Sequence, residues 1–133
     1  MKRSRRMAIG ALFAVPFARP SGADATPTSA ARRARELRDE SVRRGDQPYG
    51  AVVVKDGRIV GEGISAVVTR NDPEAHAERV ALADAVARLG PEGVKGAALV
   101  GSSRACGRCA DAARRAGIAR LWHGDLPVDD GPP

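Results

Sequence analysis

Aromatic side chains are nearly missing from this 133-residue chain: it holds two Phe, one Tyr and one Trp, and Phe13 and Phe17 both fall near its beginning. A core without them has to be built from Val, Ile, Leu and Ala, which suits a small α/β sandwich better than a β-barrel. Cysteine and histidine are equally scarce, two of each, so at most one internal disulfide can form and a metal site must draw on very few residues. There is no internal repeat and no glycine-rich dinucleotide- or phosphate-binding motif. The length predicts one domain.

Residues 1–25 read differently from the rest. Lys2, Arg3, Arg5 and Arg6 make a basic start, Met7 to Ala18 is an apolar run of 12, and Ala23-Asp24-Ala25 offers small residues for cleavage. This order predicts a secretory signal, and the run is too short for a membrane-spanning helix, so no transmembrane segment is expected after cleavage. Ser4-Arg5-Arg6 resembles a twin-arginine signal, which places residues 26–133 in the periplasm or outside the cell. A basic leader created by a misassigned start codon is the other reading, and it leaves the protein cytoplasmic. The leader also dominates the charge: it carries five of the 22 Lys/Arg and one of the 16 acids, so the remainder has a net charge of +2 where the whole chain has +6. Nucleic-acid binders concentrate basic charge on one face. Here only Arg32, Arg33, Arg35, Arg38, Arg43 and Arg44 form such a run, which reads as a solvated helix face, and a nucleic-acid partner is not expected.

Beyond the leader the pattern alternates. It predicts a helix over about Ser29 to Arg44, strands near Gly50 to Val54 and Arg58 to Gly63, a helix from Pro73 to Leu89, a strand from Ala97 to Gly101, a helix from Cys106 to Ala116 and a strand from Ala119 to His123. Ala30, Ala34 and Leu37 give the first helix only a thin apolar stripe. Asp56-Gly57 between β-branched runs is a tight-hairpin signal. Asp72 followed by Pro73 reads as an N-cap and first helical residue, carrying His76 and Glu78 in the opening turns. Such an order predicts a mixed sheet between helices, closing in an acidic tail containing Pro and Gly with no further element.

The chemistry-bearing residues cluster at two of these helix starts. Asn71-Asp-Pro-Glu-Ala-His-Ala-Glu78 supplies His76 and Glu78, and Cys106-Gly-Arg-Cys109 supplies two thiols that share a helix face. One His and two Cys are zinc-ligand types, and three ligands leave a fourth tetrahedral position, as a catalytic zinc requires. A helix N-terminus at Cys106 favours thiolates, the metal-binding form. Read alone, the Cys pair could be a redox couple or a disulfide, and His-Ala-Glu a chance tripeptide in an Ala-rich chain. Together, each at a helix start that follows a strand, they point to zinc. His123 reads as a strand-end residue, not a ligand.

From about Arg35 to Gly124 the chain resembles the cytidine and deoxycytidylate deaminase superfamily, and most of all its bacterial guanine deaminase and nucleobase deaminase branch. The resemblance is carried by Pro48-Tyr-Gly-Ala51, Lys55-Asp-Gly57, Asn71-Asp-Pro73, His76-Ala-Glu78 and Cys106-Gly-Arg-Cys109. It implies a three-layer α/β/α sandwich with a mixed central sheet, one Zn2+ per chain held by His76, Cys106 and Cys109, and Glu78 as proton shuttle. Zinc lowers the pKa of water towards ~7, a carboxylate beside it moves the protons, and ammonia leaves a nucleobase or related amino-heterocycle. Three positions depart from the family. Arg104-Ala105 replaces the usual Glu-Pro before the first Cys, so the loop lacks a stiffening proline. Ser65 stands where the family carries a substrate-binding asparagine, and it brings one hydroxyl in place of an amide. The C-terminus is short, which implies an open site, closure by a second subunit in a homodimer, or loss of activity. The alternatives are a non-catalytic zinc-binding protein of the same fold and a transfer-RNA adenosine deaminase. Export through the twin-arginine route fits a zinc protein, since cysteines crossing unfolded into an oxidising compartment could pair before meeting metal.

Overall fold

The computed structural model describes residues 25–133, so the expected signal segment, apart from its last residue, lies outside the described residues. Helix α1 spans Pro27–Arg43, starting two residues before the expected Ser29, because Thr26 and Ser29 form a reciprocal capping box and Pro27 takes the first turn. Its stripe is small but wholly used: Ala30, Ala31, Ala34, Leu37 and Ser41 are buried. Small residues let the helix lie close on the sheet. At Gly50 a Cβ would come 2.3 Å from the Ala34 carbonyl oxygen, so only glycine fits there.

Strands β1 (Gly50–Lys55) and β2 (Arg58–Ile64) form the expected hairpin, with Asp56 and Gly57 at φ 51° and 74°, the left-handed pair that a tight turn needs. β3 (Ala98–Gly101) runs antiparallel to β1 and parallel to β4 (Arg120–His123), and β5 (Val128–Gly131) pairs antiparallel with β4. The order is β2-β1-β3-β4-β5, a mixed sheet. On one face Ala51, Val53, Leu99 and Leu121 pack with Ala77, Ala81, Leu82 and Ala113 of helices α2 (Ala77–Val94) and α3 (Gly107–Ala116). On the other, Val52 and Val100 meet Ala30, Ala31 and Leu37 of α1. This is the expected three-layer sandwich, with a core of small aliphatic residues. Among the described residues no helix is long and apolar enough to cross a membrane.

Two expectations are corrected. α2 begins at Ala77, not Pro73, because Asp72 spends its cap on a turn: its carboxylate accepts from Glu74 N (2.9 Å) and its carbonyl from Ala75 N (3.0 Å). The N-cap is His76. At its far end α2 passes Leu89, breaks at Gly90 (φ 79°) and resumes through Pro91 to Val94. The acidic tail, expected to be without structure, supplies β5. Its pairing comes from across the sheet, where Arg120 Nε bonds Asp129 (2.8 Å) and His123 Nδ1 bonds Asp130 (2.7 Å).

Candidate metal centre and active site

The sheet topology brings two helix starts together at the carboxyl end of β3. His76 and Cys106 are the N-caps of α2 and α3, both with extended backbone (φ/ψ −67°/152° and −73°/170°), so their side chains leave the helix at its positive end. His76 Nδ1 lies 3.6 Å from Cys106 Sγ and 3.3 Å from Cys109 Sγ, and the three potential ligand atoms all fall within 4.8 Å of one another. A tetrahedral zinc with bonds of about 2.3 Å to sulfur and 2.0 Å to nitrogen requires N···S edges of roughly 3.5 Å. The observed distances bracket that value.

Electrostatics also fit a cation. Cys109 is fully buried, and burial pushes its thiol well above the ordinary range, with the Glu78 carboxylate and Cys106 pushing further. Glu78 is 7% exposed, and burial raises its carboxyl too, opposed by its own backbone N–H, His76 and Cys109. Cys109 Sγ is 3.8 Å from Glu78 Oε1. Two buried acids side by side are costly as anions, and a dication between the ligands offsets that cost. The donor set therefore fits zinc.

Several residues that the sequence did not single out shape this centre. Gly101 ends β3 beneath Glu78: a Cβ there would clash with the Ser103 carbonyl oxygen at 2.8 Å and touch Glu78 Oε2 at 3.4 Å, so the missing side chain lets the β3–α3 loop fold back beside the carboxylate. Ser102 Oγ accepts from Gly50 N (3.0 Å) and ties the β3–α3 loop to β1. Glu74 accepts from Arg79 (3.1 Å) and from Arg108, joining the approaches to the two helices. No local pattern marks any of them.

Ser65 lies in a different hydrogen-bond cluster. Its side chain is buried, and its hydroxyl donates to Asp46 Oδ1 at 2.7 Å. Asp46 also accepts from the backbone of Gln47 (2.8 Å), Val68 (3.1 Å) and Thr69 (2.7 Å). Desolvation raises the Asp46 carboxyl, but these N–H groups and the Ser65 hydroxyl outweigh it and hold it well below the usual range. The structure thus gathers His76, Glu78, Cys106 and Cys109, while the hydroxyl of Ser65 is engaged by Asp46. A cavity of about 600 Å³ between α1, β2 and α2, lined by Leu37, Glu62, Val80 and Asp84 among others, includes none of the four. The site is defined by ligand geometry, not by volume.

A family model described as the cytidine and deoxycytidylate deaminase zinc-binding region matches residues 25–124. The chain belongs to this family. It is similar to guanine deaminase of Bacillus subtilis, 43% identical over 79 residues that make up 59% of this chain and 51% of the relative. A crystal structure of guanine deaminase from that organism superposes with a TM-score of 0.67 at 35% identity, covering 74% of this chain and 66% of that one. The tRNA-specific adenosine deaminase of Haemophilus influenzae is 36% identical over 94 residues, 70% of this chain and 54% of the relative. A further solved structure, in complex with 8-azaguanine, has a TM-score of 0.67 at 27% identity and covers 74% of this chain and 58% of its own. The chain spans about half the length of the curated relatives it matches.

Proposed function

We propose that this family member is a zinc-dependent hydrolytic deaminase that releases ammonia from a free nucleobase or related amino-heterocycle, with guanine the first candidate. One observation carries the reading: a buried carboxylate, Glu78, stands beside a His/Cys/Cys trio that leaves one tetrahedral position open. His76, Cys106 and Cys109 would hold one zinc per chain, which when bound supplies the Lewis acidity that makes water nucleophilic at neutral pH. Glu78 does the proton work. Burial raises its carboxyl, and a carboxylate placed beside the attacking water can act as base and then as acid. It would take the proton of the attacking water and deliver it to a ring nitrogen, then take the proton of the hydroxyl newly bonded to carbon and deliver it to the departing amine, so that ammonia leaves and a carbonyl remains.

The guanine deaminase likeness supports a small substrate, and the net charge of +2 outside the leader argues against a tRNA. The test is ammonia release by zinc-loaded protein across guanine, cytosine, adenine, their nucleosides and amino-triazines, with a tRNA alongside. Release from a free base is expected. No release from any of them, with one zinc bound, identifies a non-catalytic zinc protein, and release from the tRNA alone identifies the adenosine deaminase reading.

Ser65 is the proposed determinant of altered base choice. It stands at the family's asparagine position, and its hydroxyl is engaged by Asp46. Ser65→Asn should raise guanine turnover relative to the base the wild type prefers, and an unchanged ratio of specificity constants places recognition elsewhere. Export by the twin-arginine route is proposed from Ser4-Arg5-Arg6, and a homodimer from the exposed Leu126, just before β5, and Val128, its first residue. Arg5→Lys with Arg6→Lys should trap precursor in the cytoplasm, and light scattering reads the dimer.

A further inference from the structure

Gly101 and His123 are register partners in the parallel β3–β4 pair. Side chains alternate along a strand, and Leu99 and Leu121, two residues earlier on each strand, both pack beneath α2 and α3. His123 therefore faces the side of the sheet that carries the metal-ligand trio. The place that a Cβ of Gly101 would take is 3.4 Å from Glu78 Oε2. The imidazole thus springs from the strand next to that spot, about 4.8 Å away, and Gly101 puts no side chain between it and the carboxylate.

The ring is held in one state of orientation. His123 Nδ1 is 2.7 Å from Asp130 Oδ2 of β5, the Asp130 side chain is only 9% exposed, and Arg104, on the loop leading to Cys106, lies 3.9 Å from its other oxygen. An ionised carboxylate can only accept, so Nδ1 carries the hydrogen, and whenever the ring is uncharged Nε2 is its acceptor. The His123 side chain remains 23% exposed, so it is not sealed into the core.

We propose that His123 is a substrate-contacting residue whose Nε2 accepts a hydrogen bond from a ring or exocyclic N–H of the heterocycle, and that Asp130 is the residue that positions it. The inference rests on the deaminase reading and sharpens its substrate class. The base should carry an N–H besides the amine that it loses, on the edge turned towards β4. Guanine, with a ring N–H next to its amine-bearing carbon, meets this requirement more fully than adenine.

The experiment measures binding of 8-azaguanine to zinc-loaded protein, and kcat and KM for guanine, in wild type, His123→Ala, His123→Gln and Asp130→Asn. His123→Ala should weaken 8-azaguanine binding and raise KM by about tenfold, the worth of one hydrogen bond, with a smaller change in kcat and unchanged zinc content. His123→Gln puts an amide oxygen near the Nε2 position and should recover most of the loss, whereas Asp130→Asn should fall between Ala and wild type. A role confined to tying β5 to β4 predicts a different result: both His123 variants lose thermal stability, and binding by the folded fraction matches wild type. That result overturns the proposal. If wild type binds 8-azaguanine but turns over no base, the deaminase reading fails, and weaker binding by His123→Ala still supports the contact. If wild type does not bind 8-azaguanine, the proposed contact to this class of base is rejected, whatever ammonia release shows.

Discussion

The starts of α2 and α3 meet at one centre but are built in different ways. The approach to α2 is long and is held from a distance: Asp46 gathers the hydroxyl of Ser65 and the backbone of Val68 and Thr69, Asn71 takes a left-handed φ of 51°, and Asp72 bends the chain before His76 caps the helix without a side-chain cap bond. The approach to α3 is four residues, Ser102 to Ala105, and there Cys106 is itself the cap, its Sγ accepting from Cys109 N at 3.4 Å. One start borrows its order from the rest of the fold, and the other contains it in the metal motif. Damage to the metal motif should therefore fall hardest on α3. Loss of distant supports should fall on α2.

The largest effect is expected at the two thiols. Cys109 is buried and Cys106 exposed, so Cys109→Ser removes a ligand from the interior and Cys106→Ser removes one from the rim while keeping a hydroxyl that can cap α3. Outer partners of metal ligands are typically worth about 10–100-fold in affinity, and loss of a ligand should exceed that in both variants. Cys106→Ser should retain more thermal stability than Cys109→Ser. Competition with a chelator reads the first quantity and melting the second; zinc retention equal to wild type in either variant removes that thiol from the site.

Glu78→Gln comes next and separates chemistry from assembly at the start of α2. The amide is nearly isosteric and cannot carry a proton, so turnover should fall by roughly 10²–10⁴-fold with zinc content kept. Burial raises the Glu78 carboxyl, and the neutral amide relieves that cost, so stability should hold or rise slightly. Zinc lost together with activity would move Glu78 into the ligand shell.

These two starts also show what a sequence makes legible. Cys106, Cys109, the helix that follows and the Asp56-Gly57 hairpin were readable because their signals are local. The start of α2 is not legible locally, because Asp followed by Pro serves a turn as well as it serves a helix, and only the fold selects between them. Asp46 could not be found, since the groups it binds beyond its neighbour Gln47 lie 19 to 23 residues away in the chain. β5 is hidden for a related reason. Val128-Asp-Asp-Gly131 has little strand character of its own and is paired through Arg120 and His123 on β4.

A smaller effect is expected where Asp46 supports the approach to α2. Its carboxyl titrates below the usual value in the folded state, so the charged form contributes stability that is fully present above the unfolded pKa of about 3.9 and is lost as pH falls through the folded value. Asp46→Asn removes that dependence and half of the acceptor oxygens. The variant should melt below wild type at neutral pH, and the gap should narrow below pH ~4. Hydrogen exchange at Val68 and Thr69 should quicken while that at Cys109 stays unchanged. Equal quickening at both would mean that the two starts are not independently supported.

The least change is expected from the bridge that joins the two starts directly. Glu74 precedes His76 by two residues, Arg108 precedes Cys109 by one, and their ion pair spans the rim of the centre, with Arg79 on the same carboxylate. Arg108 is 75% and Glu74 42% exposed. Solvent and salt screen such a pair, so its worth lies within about 0.2–1 kcal/mol despite its place beside the ligands. Glu74→Gln should lower stability by no more than that and shift zinc affinity by less than about tenfold, with the difference vanishing at high salt. A larger, salt-resistant loss of zinc would show that the starts of α2 and α3 are held in register by this bridge, and that the division between a self-contained α3 start and a supported α2 start is less complete than their hydrogen bonds suggest.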